Sequence, residues 1–480
     1  MCAGMCGQRI FADSFSYFTL VKHMDELKPI EIKPMNPQRF QAYIMFTRRP
    51  FIHFIAEELE YYSNEDESLL GLVLLDRIDG DFVFQILARD EVNHYRTFEV
   101  ETSVDSIAEA RDKLIARMKW LTQQNVKKVE QGGTEKGVNL FDDQIPETKQ
   151  SPYYKLLKNH IGQLAAKQLL LEIEKFYKDI DGNFIEQFQS LNGFDSRLWE
   201  IYLFCFFTEE LFEMNRTHDR PDYIIAKGET EIAVEAVIVG RKKEPKPFLE
   251  KAQKTKEETR NENMNDMPLR FSSALDSKLK KEYWKLPQVS GKPLIIAIVD
   301  FHEDFSNTWS FSALLELLYG YKHSFYYDSE GRLVINPIKV EEYIKPSGSK
   351  VPSGFFFQPN AEHISAVLSS STATLSKFNR IGKQSGFGSD KSILIRQGAY
   401  HNHDPNASMP LPFSYTVDTN CFETWSEGTS IYHNPRALQP INPKLFPSVA
   451  HHRFDGGQII SDIPGFHPYF SITRNIINED

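Results

Sequence analysis

The chain has 480 residues, 41% of them apolar and 25% charged, with a formal net charge of −11. At ~100–200 residues per domain this implies roughly two to four domains, and the ordinary composition excludes a disordered or fibrous chain. No apolar run approaches the ~18–20 residues of a membrane span, and the acidic balance argues against coating of nucleic acid by bulk charge while allowing a local basic groove.

Four cysteines, Cys2, Cys6, Cys205 and Cys421, are too few for a disulfide framework and fit a reducing compartment. The first residues turn polar without a charged stretch leading into an apolar one, so no secretory leader and a cytoplasmic location are expected.

The first part, residues 1–135, is predicted to be a small α+β domain. Residues 50–62 carry a helical pattern. Residues 69–75, 82–89 and 94–100 then have the composition of short antiparallel strands, with Asp79-Gly80 as a turn. Ser103 is the expected cap of a helix bearing Ile107, Ala110, Leu114, Met118 and Leu121 at helical spacing. Polar residues 131–137 serve as a linker.

The second part, residues 150–305, opens with a long apolar-periodic helix near 156–177. Asp195 is the expected cap of the next helix, in which Glu200 is the one formal charge between Leu198 and Thr208. Such a helix is buried, and a lone buried carboxylate must be paired, protonated or metal-bound. Arg197, one turn back, is a candidate partner. Residues 223–226 and 231–239 form a predicted hairpin of buried strands. Side chains alternate across a strand, so Glu235 shares a face with Ala233, Val237 and Val239, near Asp222 at the start of the preceding strand. Paired strand carboxylates are hard oxygen ligands of the kind that hold Mg²⁺. A basic, helical region follows at 248–285: residues 241–260 alone hold 8 Lys/Arg against 4 Glu. The buried strand 294–299 then ends at Asp300-Phe301-His302-Glu303-Asp304, which either contributes a ligand or simply terminates the strand.

Helix with Glu200, strand, strand with Pro221-Asp222, strand with Glu235, helix, strand: this order resembles the PD-(D/E)XK, or restriction-endonuclease-like, nuclease core over residues 195–299. The stretch Ser196-Arg197-Leu198-Trp199-Glu200-Ile201-Tyr202-Leu203, with Pro-Asp and Val234-Glu235-Ala236, is similar to an uncharacterised bacterial group of that type. The resemblance implies a mixed α+β chain whose nuclease-like core is flanked by the N-terminal domain and a C-terminal extension, 306–480. It also implies metal-dependent phosphodiester hydrolysis in host defence or mobile-element processing. Asp222 and Glu235 would hold Mg²⁺ or Mn²⁺, and Glu200 would bind a second ion through water or orient the attacking water. The implied partner is nucleic acid, DNA before RNA; a protein partner and self-association are compatible with it. The family's motif lysine falls at Val237. Lys278, on the following helix, is the candidate replacement; Lys242 and Lys243 rank below it in that role and are candidate substrate contacts. The competing reading is a degenerate module that binds nucleic acid or a protein without cutting, with Glu200 paired to Arg197.

The third part is rich in aromatic residues, Pro, Asn and His. Residues 311–319 have a helical pattern and 364–368 a strand pattern. Residues 376–383 are predicted to be a basic loop whose Lys377 and Arg380 contact phosphate or stack on bases. His401-Asn402-His403-Asp404 lacks zinc-site spacing and suits a surface turn. A metal hydrolase built on histidines would require His401 and His403 to converge on His302 or His451.

Overall fold

The computed structural model describes residues 30–130, 132, 136–180, 182–241 and 254–478. It is mixed α+β. Among the described residues no helix is long and apolar enough to cross a membrane.

The N-terminal unit is a five-stranded antiparallel sheet in sequential order, Lys33–Pro34, Ala56–Ser63, Leu69–Asp76, Phe82–Arg89 and Tyr95–Val104. Helix Ile107–Gln123 buries Ala110, Leu114, Met118 and Leu121 against Leu69, Val73, Phe84 and Ile86. A Cβ on Gly71 would meet the Met118 sulfur at 2.5 Å, so the helix sits this close only because that strand position is glycine. Two local expectations are corrected. Within 50–62 only Ile52–Ile55 is helical, and Ala56–Ser63 is a strand whose Glu58 and Glu60 pair with Arg48 and Arg111. The helix cap is Ser106, whose side chain accepts the Glu109 N–H, not Ser103. The expected helix at 156–177 is likewise two, Pro152–Asn159 and Leu164–Ile173, broken where the His160 ring accepts the Gly162 N–H at 3.1 Å.

The site is carried by an eight-stranded sheet. Its elements are α1 (Phe194–Glu209), β1 (Glu213–Asn215), β2 (Tyr223–Lys227), β3 (Thr230–Val239), α2 (Lys256–Leu279), β4 (Leu294–Asp300), α3 (Phe311–Tyr319), β5 (Ala366–Ser370), α4 (Leu375–Gln384), β6 (Thr429–His433), β7 (Ala450–Asp455) and β8 (Gln458–Asp462). The strands lie side by side in chain order. β1, β2 and β3 form an antiparallel meander, and α2 carries the chain across to β4, parallel to β3. β5 is parallel to β4 and antiparallel to β6, β7 is parallel to β6, and β8 returns antiparallel to β7. Four of the eight strands thus come from the segment expected as a separate extension, which completes this sheet.

Strand alternation divides the core. Tyr223, Ile225, Ile232, Val234, Ile295 and Ala297 pack against α1 on one face. Ile224, Ala233, Leu294, Ile296 and Ile298 pack against α2 and α3 on the other. The α1 cap is Gly193, not Asp195, whose carboxylate is instead engaged by Arg241 at 2.7 Å.

Candidate active site

Tyr223 pairs with Val234 across β2 and β3. Asp222 therefore faces Glu235 one step beyond the ladder. Directly opposed residues project to the same side, here the side covered by α2. Asp222 is pinned by the Ala236 N–H, which donates to its Oδ2 at 2.7 Å. Glu235 sits in a strand of apolar neighbours and is 5% exposed.

The cation that meets this pair comes from α2. That helix starts with a capping box between Thr255 and Glu258 and lays Met267, Phe271 and Leu275 on the sheet. Continuing the stripe three residues on puts Lys278 over β3, and its Nζ donates to Glu235 Oε1 at 2.5 Å. Tyr283 donates its hydroxyl to the same oxygen at 2.5 Å. The chain reaches Tyr283 through Glu282, whose φ of 49° turns the backbone just past the helix.

The electrostatics are lopsided. Burial raises the Asp222 pKa, with Glu235 and then Glu200 adding to the shift, against the Ala236 N–H and Lys278. Asp222 therefore ionises well above the ordinary carboxylate range. One ammonium serves two facing acids, and such a pocket is suited to a further cation. Two carboxylates are the oxygen donors that Mg²⁺ and Mn²⁺ take.

Glu200 is held by neighbours on its own side of the sheet. Arg197 donates to both its oxygens, at 3.0 and 2.9 Å, and Tyr177 donates at 3.3 Å. Burial still raises its pKa, opposed chiefly by Arg197. The ion pair that the i, i+3 spacing allowed is the one formed, and Glu200 acts on Asp222 through space.

Val237, in the place of the motif lysine and two residues along β3 from Glu235, lines a cleft of about 770 Å³ that also holds Arg270, Ser273, Ser277 and Lys345. Lys242 and Lys243 lie outside the described residues.

Lys377 and Arg380 are corrected. Residues 375–384 are the helix α4, not a loop, and the two side chains are 0% and 1% exposed. Arg380 grips Glu423 with two bonds of 2.6 and 2.7 Å, and Lys377 donates to the carbonyls of Trp425 and Glu427. Neither is available to a nucleic acid. His401 bonds the Tyr469 hydroxyl at 2.6 Å and His403 the Gly465 carbonyl at 3.2 Å, and they do not join His302.

Tyr283 and Arg216 escaped the sequence reading. The first depends on the backbone turn at Glu282. The second stacks over Tyr177, 4.1 Å from the ring centroid, and adds positive charge near Glu200. Neither carries a motif signal.

Comparison with protein-family models, curated proteins and solved structures finds no match to this chain.

Proposed function

We propose that the protein is a metal-dependent phosphodiesterase of the PD-(D/E)XK type acting on nucleic acid, with its reacting centre at Asp222, Glu235 and Lys278. The observation that carries this reading is the contact of Lys278 Nζ with Glu235 Oε1, opposite Asp222. An ammonium beside two facing acids is what the motif needs, delivered from the helix instead of from position 237. The antiparallel meander with a helical crossover to a parallel fourth strand also supports it.

Asp222 and Glu235 would hold Mg²⁺ or Mn²⁺, which supplies charge stabilisation at the phosphoryl group and an acidified water. Lys278 offsets negative charge developing on the phosphate and orients a water toward phosphorus. Tyr283 fixes the rotamer of Glu235. Arg197 neutralises Glu200 and so limits the charge next to Asp222. Arg270 and Lys345, in the adjoining cleft, offer positive charge to a phosphate backbone.

The test is cleavage of plasmid, single-stranded DNA and RNA with Mg²⁺, Mn²⁺ or EDTA, by wild type and by Asp222→Ala, Glu235→Ala and Lys278→Ala. Cation-dependent cutting lost in all three supports the proposal. A second reading, a recognition module without cleavage, is favoured by one observation: Glu200 is already taken by Arg197. Binding without cutting on every substrate and with either cation would establish that reading instead.

A further inference from the structure

On the far side of α2 from Lys278, toward its N-terminus, lies a second convergence of ligand-type side chains. Glu262 of α2 meets His302 and Glu303, which follow the end of β4. Ligand atoms of these three lie within 4.8 Å of one another. We propose that Glu262, His302 and Glu303 form a binding site for a divalent transition ion, separate from the Asp222–Glu235 pair.

The imidazole is the main evidence. His302 is 7% exposed. Its Nδ1 lies 2.8 and 3.0 Å from the two oxygens of Asp300. A carboxylate only accepts, so Nδ1 carries the proton. This is the orienting arrangement in which a carboxylate fixes the tautomer of a metal-ligating histidine. The other nitrogen, Nε2, is buried and has no hydrogen-bond partner. It points toward Glu262 Oε1 at 3.3 Å. Facing a carboxylate oxygen at that distance, Nε2 needs a positive centre on or beside it, which a second ring proton, the Lys254 ammonium or a metal ion can supply.

The carboxylates carry the second, independent indication. Lys254 donates to Glu262 and, at 2.7 Å, to Glu303. Both acids thus converge on one positive charge. The lysine side chain is 36% exposed, so it can swing to solvent when a metal takes its place. Trp309 stacks edge-on against His302, with 5.6 Å between centroids. It also lines a cavity of about 1080 Å³ whose wall includes Asp300. A bound ion would therefore sit behind the wall of a largely apolar chamber.

One imidazole with two carboxylates favours Mn²⁺, Fe²⁺, Co²⁺ or Zn²⁺ over Mg²⁺ and Ca²⁺, which prefer all-oxygen shells. The site joins α2 to the end of β4. α2 is also the helix that carries Lys278, so an ion here ties its N-terminal half to the sheet.

The full chain carrying Asp222→Asn, which weakens the other acidic site, would be titrated with Co²⁺ and followed by visible absorption. His302→Ala, Glu303→Gln, Asp300→Asn and Lys254→Ala would be added singly, with circular dichroism to check folding. The expected result is one Co²⁺ equivalent whose visible band disappears in His302→Ala and Glu303→Gln. Asp300→Asn should weaken binding roughly 10–100-fold, as loss of an orienting carboxylate does. Lys254→Ala should tighten it, because the competing ammonium is gone. If His302→Ala does not fold, the partly exposed Glu303→Gln decides. An unchanged Co²⁺ titration in the folded His302 or Glu303 variants overturns the proposal, as does failure of Lys254→Ala to bind Co²⁺.

Discussion

Two buried clusters of charge, one at β3 and one around α4, resolve the same problem in opposite ways. At β3, Asp222 and Glu235 face each other with one lysine between α2 and the strand. Around α4, Lys377, Arg380 and Arg396 surround Glu423 and Glu427. In the first, burial and neighbouring acids raise the Asp222 pKa. In the second, burial pushes Glu423 up, but Arg380 and Arg396 outweigh it and hold its carboxyl to about 2. Lys377 in turn is pushed down to about 8, first by its own burial. The α4 cluster is closed: its arginine forks are filled by carboxylates, and it fastens α4 to the 423–427 loop. The β3 cluster is short of positive charge. Buried charge of the closed kind, at α4, is structural, and that of the open kind, at β3, points to a ligand.

The largest effect expected from this contrast is on the closed cluster. Glu423→Gln removes the acid shared by the three cations and should cost about 3–5 kcal/mol, as breaking a buried pair does. Urea unfolding would measure it, and a change under 1 kcal/mol, far below that range, would show that the cluster is not closed. At the open cluster, Lys278→Met should lower cleavage roughly 10²-fold, about 2.7 kcal/mol of barrier. Near-wild-type turnover would remove Lys278 from the chemistry.

Acid should separate the regions further. Burial lowers His433 to about 4, His452 to about 3 and His467 to about 4. Below the ordinary histidine value the unfolded chain takes up protons that these buried rings refuse. Their contribution is complete above pH about 6.5 and is lost as pH falls toward 4, by about 1.4 kcal/mol per pH unit for each ring. Asp222 has the opposite sign. Its raised pKa means that the folded state holds the proton more tightly, so its share of stability falls as pH rises above the ordinary carboxylate value. Hydrogen exchange at pH 5 and pH 7 should show β6 and β7 loosening in acid while β2 and β3 do not. Loosening of both regions together would blur the contrast.

The smallest effect is a gain. Above the raised Asp222 pKa of about 8, Asp222→Asn removes a charge held at a cost and should stabilise the protein without added metal by about 0.5–2 kcal/mol, while abolishing cleavage. Thermal unfolding checks it, and a loss of stability would mean that Asp222 is structural.

Much of this contrast was legible in the sequence on one side only. Glu235 stands out as an acid in a β-branched strand, and Lys278 lies on the helical stripe of Phe271 and Leu275. Arg197 and Glu200 announce their pairing by spacing. Those signals are local, so periodicity exposes them. The α4 cluster is not local: Arg380 meets Glu423 43 residues away. Its charges therefore resembled a solvated loop, when in fact the helix is buried. Glu262 and His302 are likewise joined only by the crossover from β3 to β4. Ala56–Ser63 carries a helical pattern, yet it is a strand, and its glutamates meet Arg48 before it and Arg111 on the helix Ile107–Gln123.

The most direct measurement is a calorimetric titration of the full chain with Mg²⁺, an ion the His302 cluster disfavours, in wild type, Asp222→Asn and Glu235→Gln. Binding in wild type and its loss in both variants is the result expected of a cluster that lacks a cation. Equal Mg²⁺ binding in all three, or none in wild type, would contradict the assignment of Asp222 and Glu235 as the metal-holding pair.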